Sequence, residues 1–300
     1  MAIDYDAFMA LREEGKSFSY TERDTMLYAL ASGMGRDPLD EKELPFVFEG
    51  KGLVAMPSQA VVVARSALPR TLPLDWTKVL HGEQSLTLHR PFPAAAELTT
   101  ETRLTRIIDK GKGKGALIYH ETRASTVEDG APLFTVGASL FARGDGGFGG
   151  PSISAPPVHQ IPDRAPDIVF TSKTRRDQAL LYRLTGDLNP LHADPAVATA
   201  AGLSAPILHG LCTYAVACRA VLVAVCDYDT TRIETFNLRF TSPVFPGDRI
   251  ETDIWVDGDI ISFRCRVPER DVTVINNGRC SLFATKARQE GLPQFAEVAS

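Results

Sequence analysis

An acid and an imidazole, Asp187 and His192, stand five residues apart in a stretch whose backbone a proline constrains. These residue types can hold and activate a water, and a positioned proton-transfer group contributes roughly 100- to 10,000-fold to a rate. Further on, His209 and Gly210 precede a run, Leu211 to Cys226, that is apolar almost all round. Unpaired N–H groups at the head of a helix there, with the helix dipole behind them, could stabilise developing negative charge. A glycine at that point lets a ligand come close. Acid, base and oxyanion donor are thus available in one short segment. Residue types alone leave duller readings open. The pair could be a cap and a surface histidine, Asp187 could merely satisfy loop amides, and His209 is expected to be a helix N-terminal residue without chemistry of its own.

The elements that must position these groups follow from local rules. Leu180, Leu181 and Leu184 at three- and four-residue spacing predict a helix that Gly186 closes. Asn189 precedes Pro190 and is pushed out of the α region, so Asp187 to His192 should be a loop of extended geometry. Asp194 and Pro195 form a cap and first-turn pair for a short helix ending at Gly202. Pro206 then breaks the chain before the apolar run, which is buried as a helix and too short to span a membrane.

YRLTGDLNPLHADP followed by AGLSAPILHGLCTYA, from Tyr182 to Ala215, resembles the signature of the MaoC-like, type 2 (R-specific) enoyl-CoA hydratases. The match is gapless and holds at the Asp, Asn, Pro and His positions. The resemblance implies that Asp187 and His192 are catalytic.

Composition excludes several other classes. The chain has 300 residues, 44% of them hydrophobic and 23% charged, as in a globular protein of two ordinary domains. A net charge of −5, with no basic arm, argues against a nucleic-acid binder. The start, MAIDYDAFMALREEGKSF, lacks a basic region followed by an apolar core, and no long apolar segment predicts membrane insertion. Five cysteines without a CxxC pair suggest reduced thiols in a cytoplasmic setting, and the end, QFAEVAS, carries no SKL-type peroxisomal address.

An internal repeat governs the fold. RDTMLYAL at Arg23 to Leu30 echoes RDQALLYRL at Arg176 to Leu184, superposing Tyr28 on Tyr182. RPFPAAAELTTETRL from Arg90 echoes SPVFPGDRIETDIWV from Ser242, at a similar offset of about 150 residues. Two copies of one fold stand in tandem. Residues 1–143 form the first and 169–300 the second, with a Gly/Pro-rich crossover over 144–168. That crossover contains a literal GxGxxG from Gly144, but prolines follow where a dinucleotide fold needs a helix, so phosphate binding is rejected. In the first copy the position of Asp187 falls on Gly33 or Met34, and no histidine stands opposite His192. A buried helix followed by consecutive strands predicts an α+β fold, an antiparallel sheet wrapped around a helix. This resembles the hot dog fold, here a double hot dog with a long central helix in each half.

The resemblance implies further roles. His81, Gly82, Lys110 and Phe240 fall on thioester-ligand contacts, as do Gly210 and the loop residues Leu188, Asn189, Pro190 and Leu191. Without the resemblance, Lys110 in DKGKGKG would read as a flexible basic hairpin tip. The implied reaction is R-specific hydration of a trans-2-enoyl-CoA, with Asp187 and His192 holding the water and the Gly210 N–H meeting the thioester oxyanion. Coenzyme A then enters only as part of the substrate, with no metal or redox cofactor, and a homodimer is expected. A dehydratase acting on acyl carrier protein is the nearer alternative, and a hot dog thioesterase the next. An acyl chain lying in the first half would gain about 0.8 kcal/mol per buried methylene.

Overall fold

A computed structural model describes residues 3–283; the end QFAEVAS, with its expected lack of a peroxisomal address, lies outside the described residues. The helices are α1 Tyr5–Met9, α2 Glu22–Ser32, α3 Leu44–Val47, α4 Ala60–Val63, α5 Gln178–Tyr182, α6 Pro195–Ala200 and α7 Gly210–Ala224. The strands are β1 Arg12–Tyr20, β2 Val79–Leu88, β3 Ala96–Asp109, β4 Ala116–Thr126, β5 Pro132–Ala142, β6 Ile168–Lys173, β7 Ile233–Phe240, β8 Arg249–Asp257, β9 Ile260–Val267 and β10 Val272–Leu282. None of the described helices is long and apolar enough to cross a membrane.

All ten strands join one antiparallel sheet in the order β1-β3-β4-β5-β2-β7-β10-β9-β8-β6. The order is a palindrome of the repeat: β1 to β5 in the first half occupy the places of β6 to β10 in the second. The halves meet where β2 pairs with β7, at Glu83↔Arg239, Gln84↔Leu238 and Thr87↔Thr235. Glu83 accepts from Arg239 Nε at 3.0 Å, and Asn237 Oδ1 accepts from the Leu86 amide at 3.2 Å, so side chains reinforce a sparse backbone ladder. Ile168, placed in the crossover from sequence, opens β6.

The halves differ in the helix beneath the sheet. In the second, α7 buries Leu211 to Cys218 almost continuously, and Tyr214 donates to the Phe236 carbonyl on β7 at 2.7 Å. Each fully buried Leu or Val contributes roughly 1.5–3 kcal/mol, so an all-apolar helix is stable only under such a cover. Where sequence predicts a long helix in the first half too, there is a short 3₁₀ turn, Pro57–Gln59, running into the single turn of α4. Its β-branched run, Val61 to Val63, costs helix stability, and Ala64 at φ −132°, ψ 53° ends it. The repeat tyrosines meet, with the rings of Tyr28 and Tyr182 6.0 Å apart between α2 and α5. Gly33 and Gly186 both close their helices in the left-handed region, φ 103° and 120°, which places Met34 at the position of Asp187.

Two amides of the glycine-rich crossover are filled from within, together with one of the β3–β4 turn. The Asp109 carboxylate accepts from Gly111 N at 2.8 Å, Gly147 N at 2.7 Å and Gly149 N at 2.8 Å, which holds it below the usual carboxylate range. The nest that a phosphate would need is occupied by the protein's own acid.

Candidate active site

The acid–base loop leaves α5 through one 3₁₀ turn, Arg183–Thr185, and then Gly186. Asn189 is extended, at φ −54° and ψ 123°, as a residue before proline should be. The loop is extended only that far. The Asn189 carbonyl oxygen of the side chain accepts from the Leu191 amide at 3.1 Å and closes Pro190–His192 into a 3₁₀ turn, which carries the imidazole back toward Asp187. Asp194 accepts from the Ala196 amide at 2.8 Å and starts α6, and Gly202 at φ 80° follows its end.

His192 is 8% exposed. Its Nδ1 lies 2.8 Å from the Ile207 carbonyl. A carbonyl can only accept, so Nδ1 carries the proton and Nε2 keeps a free lone pair. His209 is 1% exposed, and its Nε2 donates to the Asp187 carbonyl at 3.0 Å. Its ring stacks on His192, with centroids 3.7 Å apart at 28°, and packs against Tyr182 at 5.0 Å. The histidine expected to be an inert helix residue therefore pins the loop from behind.

Burial lowers the pKa of His192, with Arg65 adding to the effect against the Ile207 bond and Asp187. Burial, and then His192, press His209 down to about 4. For Asp187 burial alone would raise the carboxyl, but Arg65, the Asn189 amide and the two imidazoles outweigh it and hold it below its ordinary range. At neutral pH the site is thus a carboxylate beside neutral imidazoles.

A carboxylate oxygen of Asp187 and ring nitrogens of His192 and His209 lie within 4.8 Å of one another, close enough for one water to bond two of them. The same three groups would be a conceivable metal set. Stacked rings argue against it, because an ion between two nearly parallel imidazoles lies far out of both ring planes, away from the lone pairs.

Gly210 opens α7, where the first amides have no intrahelical acceptor. A Cβ there would meet the Phe240 ring at 3.6 Å, an ordinary contact, so packing within the protein does not demand the glycine. Phe240 in turn stands 4.9 Å from the His81 ring, and Asp187 and Arg65 both act on His81, whose pKa burial lowers to about 4. The fold therefore brings together Asp187, His192, Gly210, Phe240 and His81 from four separate segments. Gly82 does something else: it lies at the β2 bulge, and a Cβ would sit 2.8 Å from Ser139 Oγ. Lys110, at the β3–β4 turn, has its ammonium 5.3 Å over the Phe141 ring rather than against the loop. Phe141 pairs with Leu80, which puts the lysine at the sheet end that carries His81. Leu188 and Pro190 are exposed, Asn189 and Leu191 half-buried.

Arg65, just past α4, is a residue the sequence did not single out: its Nη2 lies 3.3 Å from Asp187 Oδ2. His120 on β4 is another, where burial, and then the neighbouring His81, lower the pKa to about 4. Neither carries a local signal, since each is a lone residue far along the chain from the loop.

Residues 157–278 match the family model described as MaoC like domain, and residues 18–144 match MFE-2 hydratase 2 N-terminal domain. The chain is 38% identical to enoyl-CoA hydratase ChsH3 of Mycobacterium tuberculosis, over 93% of this chain and 98% of that protein. It is 41% identical to 3-hydroxyacyl-thioester dehydratase Y of the same organism, over 85% and 88%. The crystal structure of a MaoC-like dehydratase from Phytophthora capsici superposes with a TM-score of 0.83 at 30% identity, covering 95% of this chain and 99% of that one. With a degenerate half matching one model and the acid–base half the other, the chain belongs to the MaoC-like hydratases of double hot dog fold.

Proposed function

We infer that this protein adds water across the trans-2 double bond of an enoyl-CoA to give the (3R)-3-hydroxyacyl-CoA, and runs the reverse dehydration. The observation that carries the reading is the pairing of an ionised Asp187 with a neutral His192: a carboxylate oxygen and a ring nitrogen lie within 4.8 Å, and the Ile207 bond to Nδ1 leaves Nε2 as the free base. In this reading the two side chains hold the water; one takes its proton as oxygen bonds to C3, and the acid–base unit returns a proton to C2. Charge building on the thioester oxygen meets the Gly210 amide at the head of α7. Removing one such donor typically costs about 2.7–4 kcal/mol. Hydration changes no net oxidation state, so acid–base groups suffice and no metal or redox cofactor is invoked.

The acyl chain would lie against the first half. Because its central helix is reduced to Pro57–Val63, His81, His120, Val136, Ala138 and Leu140 stay partly accessible. His81, Phe240, Lys110 and the loop residues Leu188 to Leu191 would grip the thioester ligand. A homodimer and a cytoplasmic location are proposed with it, on family resemblance and cysteine usage; light scattering and fractionation check them.

Crotonyl-CoA should lose its enoyl absorbance without release of free thiol, and the product should be the 3R alcohol by chiral analysis. Free thiol would mean a thioesterase, and a 3S product would end the R-specific assignment. Turnover on CoA against carrier-protein thioesters of the same acyl group decides the carrier.

A further inference from the structure

We propose that Arg65 is a positioning residue for this reaction, a cation from the non-catalytic half that holds the Asp187 carboxylate of the catalytic half. The inference rests on the acid–base reading above and names what sets it. Ala64, 3% exposed and outside the α region, turns the chain at the end of α4 so that the next residue reaches across to the loop. Arg65 Nη2 then lies 3.3 Å from Asp187 Oδ2, a contact spanning 122 residues of sequence. The other oxygen, Oδ1, accepts from the Asn189 amide at 3.3 Å. Each carboxylate oxygen thus has one donor, which sets the plane of the acid and leaves each oxygen further acceptor capacity within 4.8 Å of a His192 ring nitrogen.

The charged and titratable groups around Asp187 are Arg65 from the end of α4, His192 on its own loop, His209 at the head of α7 and His81 on β2. Burial keeps the three imidazoles neutral. Arg65 is then the one permanent positive charge among them, and it is the largest of the influences that offset burial and hold the carboxyl below its ordinary range. A degenerate half that has lost its own acid, with Met34 in that place, keeps a share in the chemistry through this side chain. The guanidinium is 40% exposed, so as a structural tie it is weak.

Arg65→Met removes the charge at similar length, and Arg65→Lys restores it. In Arg65→Met, kcat for crotonyl-CoA should fall roughly 10- to 100-fold, as expected for a displaced reacting group. The acid limb of its pH–rate profile should move up while the melting temperature holds, and Lys should restore most of both. In an Asp187→Asn background Arg65→Met should cost nothing further. A salt-dependent rise in KM with kcat and the acid limb unmoved would overturn the proposal in favour of a phosphate contact. A readout independent of turnover is the Asp187 carboxyl titration followed by 13C NMR, which should move up in Arg65→Met. If it stays put, the proposal fails whatever the enzyme does; if it moves but crotonyl-CoA is not hydrated, the reaction assignment fails instead.

Discussion

The oxyanion role of the Gly210 amide can be isolated by removing its N–H with a proline and controlling for the added carbons with an alanine. His209, at φ −58° and ψ 138°, already has the backbone that a residue before proline requires, and Gly210 is the first residue of α7, where proline is welcome. Gly210→Pro should therefore fold and differ mainly in lacking the N–H. Gly210→Ala is the control, since it keeps the N–H and its methyl fits at 3.6 Å from the Phe240 ring. If the amide meets the thioester oxyanion, the proline variant should lose about 2.7–4 kcal/mol of transition-state stabilisation, roughly 100- to 1,000-fold in kcat, beyond the alanine variant. Initial rates with crotonyl-CoA give kcat and KM, and thermal melts show whether each variant folds. Proline kcat within about three-fold of alanine, with both folded, would refute the donor role. A rise in KM alone would mean that the ring blocks entry instead.

Asp187→Asn and His192→Gln should each lower turnover by about 100-fold or more. Their melting temperatures should stay within a few degrees, since the Arg65–Asp187 pair is partly exposed and a glutamine can still donate to the Ile207 carbonyl; unfolding would make these residues structural. In the pH profile, both groups must be deprotonated to work. His192 is held below its ordinary 6.5 and Asp187 below its ordinary 3.8, so kcat/KM should stay level as pH falls past 6.5 and drop only below it; an acid limb above 6.5 contradicts this. Stability has the same sign. His81, His120 and His209 titrate near 4 in the folded chain against 6.5 when unfolded, so the unfolded state takes up more protons between those values. Melting temperature should hold above pH 6.5 and decline toward pH 4. Met34→Asp should create no second active site and should destabilise by about 3–5 kcal/mol, because Met34 is 1% exposed and a carboxylate there is buried unpaired; a melt and a rate on the Asp187→Asn background check both.

What could be read from the chain was whatever neighbouring residues enforce. Proline at 190 sets the backbone of Asn189, Gly186 ends the helix, Asp194 starts the next, and an apolar run demands burial, so the loop and α7 were legible from a few adjacent side chains. The repeat was legible too, because similar sequences build similar strands, and the palindromic sheet follows from two of them meeting edge to edge. The long helix foreseen in the first half was a wrong extension of that symmetry: one copy kept the apolar run and the other shrank to Pro57–Val63, a difference a strand repeat does not report. Only the tertiary structure decided the tautomer of His192, the stacking of His209 on it, and the reach of Arg65 to Asp187. Those depend on how α4, the acid–base loop and the head of α7 pack together. A hydrogen bond across 122 residues leaves no trace in local spacing, because its geometry is set by the packing of the end of α4 against the acid–base loop and not by either partner's neighbours in sequence.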